Sequence, residues 1–406
     1  MQKLWVRVHR WLGLATAVFL FIAGLTGAII AWDHELDAML NPHLFEAPGE
    51  GPVRSSLELA RELEAREPRL FVRYLPLSVE PDHALTLYVA GRVDPATNKP
   101  FELEHNQVLV DPRTGEVKGR RKTDATTLSR ETLLPFLYRL HYTLHLPTVG
   151  GFDLGRLFMG IVAVAWLLDG VVALWISFPS LKVWRKSFAF RLRQGTHKLT
   201  FDLHRSSGVW TWALLTVLAF TAVSMNLNRE LVRPLVEVFS PLAPNPFARR
   251  PGETPRPGPP ALSRADILAR AQDEAARLGI TAPPGGLLYN APRHLYGIGF
   301  FAAGMDHGDG GLGNPRLVFD GDTGALVTTQ MPGEGSAGDV FMQAQFPLHS
   351  GRILGVTGRV IITVLGLIIA LLSATGVILW ARKRRARALS VARAGSLASA
   401  RGATTS

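Results

Sequence analysis

The chain of 406 residues contains no cysteine. That absence excludes disulfides, thiol redox chemistry, cysteine-ligated iron–sulfur clusters and thioether-attached haem. Any redox cofactor must be held by other side chains, and histidine, present twelve times, is the main candidate. Acidic charge is also scarce: 33 Asp and Glu stand against 44 Lys and Arg, for a formal net charge of +11. This excess does not mark a nucleic-acid binder, because the basic residues cluster beside apolar runs and not on one soluble face. A dinucleotide fingerprint is missing too. No glycine-rich segment follows a strand pattern into a helix, as such a site requires.

Apolar residues, by contrast, make up 47% of the chain, and they gather in four runs. A membrane span needs about twenty predominantly apolar residues. Trp11–Trp32, Leu157–Phe178, Gly208–Leu227 and Val360–Ala381 qualify, with Trp11, Trp32, Trp175, Trp210 and Trp380 at their ends, where an amphipathic ring suits the interface. The first run lacks a small-x-small cleavage site before Trp32-Asp33-His34 and is expected to remain as an anchor.

Lys and Arg set the orientation. They lie before span one (Lys3, Arg7, Arg10), fill the loop 179–207 between spans two and three, and follow span four (Arg382, Lys383, Arg384, Arg385, Arg387). Segments 1–10, 179–207 and 382–406 are therefore expected on the cytoplasmic side of a bacterial inner membrane, with both termini there. Segments 33–156 and 228–359 are expected in the periplasm. The tail beyond Ser390 is expected to be disordered.

The two halves repeat each other. His9-Arg10-Trp11-Leu12-Gly13 matches His204-Arg205-Ser206-Ser207-Gly208. Val110-Asp111-Pro112-Arg113-Thr114-Gly115 matches Phe319-Asp320-Gly321-Asp322-Thr323-Gly324. Leu144-His145, followed by Gly155-Arg156, matches Leu348-His349, followed by Gly358-Arg359, and Gly170-Val171 matches Gly376-Val377. Each half thus reads as span, outside module, span. Units with two spans insert the same way up, so the expected fold is a four-span α-helical membrane domain with a pseudo-two-fold parallel repeat, plus two periplasmic α+β modules. In those modules the patterns predict helices at 55–67 and 264–278. Strands are predicted at 71–76, 84–90, 107–110, 287–289, 296–301 and 316–319. The proline-rich segment 241–260 reads as extended linker.

The repeat organises the histidines. His9 and His204 are duplicates at the inner starts of spans one and three. His145 and His349 are duplicates on the outer approaches to spans two and four. A pair of imidazoles at each face suits two bis-histidine haems of b type, an electron path across the bilayer. His141 lies four residues before His145 and His197 seven before His204, so on a helix each shares its neighbour's face and could replace it as ligand or hydrogen-bond a propionate. His34, His43, His83, His105, His294 and His307 read as surface residues. The loop from Asp306 to Asp309 suggests at most a weak metal site. Asp169 is the one carboxylate inside a span. Its repeat counterpart is Thr375, and it could hydrogen-bond between helices, tune the inner haem or take up a proton.

His9-Arg10-Trp11-Leu12-Gly13-Leu14, Asp202-Leu203-His204-Arg205 and Pro347-Leu348-His349-Ser350-Gly351-Arg352 together resemble the PepSY-associated transmembrane helix family over most of residues 1–387, and the Asp-x-x-Thr-Gly turns resemble the closing strands of PepSY modules. Relatives of the FoxB type are inner-membrane ferric-siderophore reductases that bind haem in a four-span domain. The resemblance implies that activity here, with His9, His204, His145 and His349 as haem ligands and a ferric siderophore as the periplasmic acceptor. Arg54, Arg73, Arg92, Arg293 and Arg316 could draw in an anionic chelate. The electron donor is left open between a separate reductase, a diffusing flavin and a quinol. Two other readings stay open: a membrane-anchored PepSY binding or regulatory module without haem, and a haem subunit serving a periplasmic oxidoreductase. A transporter would need more intramembrane polar groups than Asp169 supplies.

Overall fold

A computed structural model of the chain describes residues 2–248, 256, 258–308 and 310–403. Its principal helices are α1 (Gln2–Ile30), α2 (Ser56–Arg66), α3 (Leu133–Thr143), α4 (Leu154–Ser177), α5 (Thr196–Asn226), α6 (Arg264–Arg277), α7 (Ala337–Ser350) and α8 (Gly355–Ala403). One large sheet is built from β1 (Leu70–Pro76), β2 (Leu85–Gly91), β3 (Gln107–Val110), β4 (Val117–Arg121), β5 (Pro284–Asn290), β6 (Leu295–Phe300), β7 (Arg316–Asp320) and β8 (Leu326–Gln330). The chain divides into two compact units. One holds Met1–Ala31, Leu140–Asn228 and Val360–Ser406, and the other holds Trp32–Arg139 and Arg229–Arg359.

The first unit is a helix bundle. Among the described residues, four helices are long and apolar enough to cross a membrane: α1, α4, α5 and the stretch Arg352–Val391 that contains most of α8. Their outward faces carry Val18, Phe21, Ile161, Leu168, Val217 and Leu367, all exposed, while Thr16, Thr26, Asp169, Ser206, Thr221 and Thr375 are buried. This inside-out distribution is what a lipid solvent selects. Apolar side chains lose nothing by facing acyl chains, and polar ones must find partners within the protein. Glycine permits a close crossing of α1 and α8. A methyl group on Gly24 of α1 would meet the Gly366 carbonyl oxygen of α8 at 2.6 Å, and one on Gly366 would meet that of Gly24 at 2.5 Å. Leu215 and Leu218 of α5 bury against Leu365 and Ile369 of α8. The tail expected to be disordered instead continues α8 to Ala403. Its run of Ala, Arg, Leu and Ser contains good helix formers, and a preceding turn already supplies the nucleus.

In the second unit the two outside segments share one sheet. The strand order is β8-β7-β6-β5-β1-β2-β3-β4, every neighbour antiparallel, so strands from both segments form one sheet. Its central seam pairs Tyr74 with Leu288, Leu75 with Leu287 and Pro76 with Gly286. One core serves both segments: Leu59 and Leu63 of α2, Ile267 and Ala271 of α6, and Val72, Leu75, Leu287 and Ile298 of the sheet are buried together. The polar seam matches the apolar one, since Glu64 of α2 accepts from Arg264 of α6 at 2.6 Å and from the Val72 amide at 2.6 Å.

The two Asp-x-x-Thr-Gly motifs form the same turn twice. Asp111 Oδ1 accepts from the amides of Arg113 and Thr114, and Asp320 Oδ1 from those of Asp322 and Thr323. Gly115 and Gly324 follow at φ 76° and 73°, a region that costs glycine little. These turns lead into β4 and β8, which the sequence patterns did not predict. Within segment 241–260, residues 249–255 and 257 lie outside the described residues; Arg256 donates to Asp320 and Asp322 at 2.8 Å each.

Candidate functional site

The helix bundle brings His9 and His204 together. His9 lies in the third turn of α1, and its Nδ1 is 3.0 Å from both carboxylate oxygens of Asp169 on α4. His204 lies in the third turn of α5. Its Nδ1 is 3.0 Å from the Leu372 carbonyl oxygen and 3.1 Å from Thr375 Oγ1, both on α8. A carbonyl only accepts, so Nδ1 of His204 carries the proton and Nε2 keeps its lone pair. Thr375 hands its own proton to the Leu371 carbonyl at 2.6 Å, which leaves its oxygen as a second acceptor for the ring. Gly376 makes the seat possible, since a methyl group there would lie 3.0 Å from His204 Cε1.

Among the described residues, neither Nε2 of this pair has a hydrogen-bond partner. The ring centroids are 6.1 Å apart, with the planes inclined by 49°. Two imidazoles bound through Nε2 to one first-row metal ion stand about 6 Å apart between centroids, because each metal–nitrogen bond is about 2 Å and the ring nitrogen lies about 1 Å from its centroid. The spacing is therefore that of two imidazoles on a shared metal centre. Each ring is oriented from behind by an acceptor on Nδ1, the usual support of a ligating histidine. Asp169 thus occupies the seat that Thr375 occupies for His204, as their matching places in the sequence suggested.

A second imidazole is seated in the same way near the other end of α1. His141 Nδ1 is 3.0 Å from the Ala23 carbonyl oxygen and 3.1 Å from Thr26 Oγ1, and Thr26 donates to the Ile22 carbonyl at 2.7 Å. A methyl group on Gly27 would lie 2.9 Å from His141 Cε1. Carbonyl, threonine and glycine at positions 23, 26 and 27 reproduce 372, 375 and 376. Burial pushes the His141 pKa down to about 4, so the ring is neutral at physiological pH. The sequence signal for this seat is a Thr-Gly pair late in a span, present twice as Thr26-Gly27 and Thr375-Gly376, with Asp169-Gly170 as the variant that serves His9.

The structure separates His141 from His145. Helix α3 ends at Thr143, and Leu144 and His145 both adopt left-handed backbone at φ 52° and 55°, so the two histidines do not share a helical face. The end of α3 packs close to the start of α4, where Gly155 leaves no room for a side chain beside Thr143. His197 shares α5 with His204 but is exposed in its first turn. His349 lies in the last turn of α7, in the sheet-bearing unit.

Most of the remaining histidines serve the fold. His43 pairs with Glu131 at 2.9 Å, and His83 contacts the Pro81 carbonyl at 2.8 Å. His294, expected at the surface, is buried: its ring bridges Asp322 and the Gly258 carbonyl, at 3.0 and 3.1 Å. Of the arginines that could attract an anion, Arg54 is held by Glu58 and Glu62, Arg92 by Glu64, and Arg293 by the Pro246 carbonyl. Arg54 and Arg92 thus face carboxylates of the fold itself.

No curated relative matches the chain. The PepSY-associated TM region family matches residues 6–383, a range that takes in all four apolar runs, His9, His204, Asp169 and the whole sheet. On that match and its four apolar helices, this chain is a multi-pass membrane protein belonging to the PepSY-associated TM region family.

Proposed function

We propose that the chain is a transmembrane electron-transfer protein that holds a haem b between His9 and His204 and passes electrons from the cytoplasmic side to a ferric siderophore on the periplasmic side. The observation that carries this reading is the His9–His204 pair: two imidazoles 6.1 Å apart, each with Nδ1 occupied and Nε2 left for iron. Haem supplies a one-electron carrier whose potential the axial ligands and their hydrogen bonds tune.

The second haem, on the outer side, takes His141 in place of His145, because the His141 seat repeats that of His204 atom for atom. A pseudo-two-fold duplication accounts for both the strand order and the paired turns. The basic segments support an orientation with both termini in the cytoplasm of a bacterial inner membrane. A quinol, a flavin or a reductase is the donor.

The test is the visible spectrum of the detergent-purified protein, oxidised and dithionite-reduced, with haem counted per chain. Low-spin b-type bands at about two haems per chain are expected. His141→Ala is expected to remove one of them and His145→Ala to leave both. A colourless protein from haem-replete cells would overturn the reading.

Asp169 gives a finer measurement. A hydrogen bond from Nδ1–H to a carboxylate makes the imidazole a stronger donor and favours ferric iron. Asp169→Asn keeps the shape and replaces a charge-assisted bond by a neutral one, a difference of about 1 kcal/mol. The midpoint of one haem is expected to rise by about 40–60 mV, with the other unchanged.

A further inference from the structure

In the sheet-bearing unit three side chains converge that the electron path does not use. His34 sits in the first turn of the short helix Asp33–Leu40. Asp306 and His307 lie on the loop between β6 and β7. One donor atom from each lies within 4.8 Å of the other two. The His34 and His307 rings are 5.4 Å apart at 68°, and His307 Nδ1 contacts Asp306 Oδ1 at 2.8 Å. Phe346 of α7 covers one side of His307 at 6.0 Å between centroids.

The loop is braced, not merely close. Asn314 Nδ2 donates to the carbonyls of Met305 and Asp306 at 2.6 and 3.2 Å, and the Gly311 amide donates to the Ile353 carbonyl at 3.1 Å. Gly308 takes φ 74° and packs so that a methyl group there would lie 3.2 Å from Gly313 Cα. Asp309 lies outside the described residues. Among the described residues this is the one group of three or more potential ligands arranged for a metal ion.

We propose that His34, Asp306 and His307 form a binding site for a divalent first-row transition-metal ion. Two imidazoles and one carboxylate on one side of an ion leave its remaining positions open, the ligand set that suits iron(II), cobalt(II) and zinc. Magnesium and calcium prefer oxygen and would gain little from the imidazoles. His34 is exposed, so the ion reaches the site from solvent and can leave again. The site stands without the haem assignment. Only the identity of the natural ion rests on the proposed function, and iron(II) is the ion that reduction of a ferric chelate would supply. The donor set matches that ion's preference for nitrogen over the hard oxygen shell that iron(III) favours.

The test is a titration of tag-free, haem-loaded protein with Co2+, followed by calorimetry and by the d–d absorption of the bound ion. About one ion per chain is expected at micromolar affinity, with no competition from millimolar Mg2+. The double variant His34→Ala/His307→Ala is expected to bind at least tenfold more weakly. Should it fail to fold, His34→Gln, a change at an exposed position, is expected to show the same direction of loss. The haem spectrum is recorded in every variant and is expected to be unchanged, so failure of this site is distinguishable from failure of the haem reading. Absence of Co2+ binding by the wild type, or equal binding by a folded variant, would overturn the proposal.

Discussion

His9→Ala and His204→Ala are each expected to cost the protein about half of its haem and to remove the same low-spin component from the spectrum. The two changes fall in helices α1 and α5, nearly two hundred residues apart in sequence. A shared spectral loss therefore reports a shared iron. The geometry explains why neither imidazole suffices alone. Each ring is fixed from behind, His9 by Asp169 and His204 by Leu372 and Thr375, so neither can swing to compensate for its partner. External imidazole should restore the band in either variant, because the cavity left by alanine has the shape of the lost ring. Two alanine variants with different spectra, each losing a different haem, would show that the pair does not share one iron.

Acid is expected to release the outer haem and loosen the C-terminal turn of α3. His141 has an ordinary pKa of 6.5 when exposed and about 4 in its seat, where burial disfavours the charged ring. Between these values the detached ring binds more protons than the seated one, so the seat weakens as pH falls. Above pH 6.5 both forms are neutral and pH has no effect through this group. The loss is about 1.4 kcal/mol per pH unit and about 3 kcal/mol by pH 4, roughly a hundredfold in the docking equilibrium. Iron bound at Nε2 requires the same neutral ring and steepens the trend. The check is haem retention between pH 7 and pH 4.5 in wild type and in His141→Gln. The variant has no outer haem to lose, so its remaining haem is expected to hold across that range. An acid profile identical in the two proteins would remove His141 from the explanation.

The bundle was the most legible part of the sequence, because lipid demands long uninterrupted apolar runs and leaves little room for alternatives. The His9–His204 pairing was legible as well, through duplicated His-Arg motifs at the starts of two spans. His141 was harder to place. A helical spacing of four joined it to His145, but nothing in the residue pattern announced that Leu144 and His145 would turn left-handed. That break is a matter of backbone conformation at two residues, which side-chain spacing does not report. Strands β4 and β8 escaped notice for a related reason. Val117–Arg121 and Leu326–Gln330 lie at the two edges of the sheet, where exposed positions relax the alternation that marks an inner strand. The metal-ligand cluster was half visible as Asp306 and His307; His34 joins it only through the fold.

The seam between β1 and β5 has a consequence for how the protein is made. Tyr74 and Leu288 become neighbours although the ribosome delivers them more than two hundred residues apart. Until β5 emerges, β1 presents a bare row of amides and carbonyls, the kind of edge that recruits stray strands. Contacts of such long sequence separation also form slowly. The first half must therefore wait, with three spans already synthesised, for its complement to arrive. A nascent chain stalled in that interval would be open to chaperones and to mispairing, and supplying the second half as a separate polypeptide should close the same edge in trans.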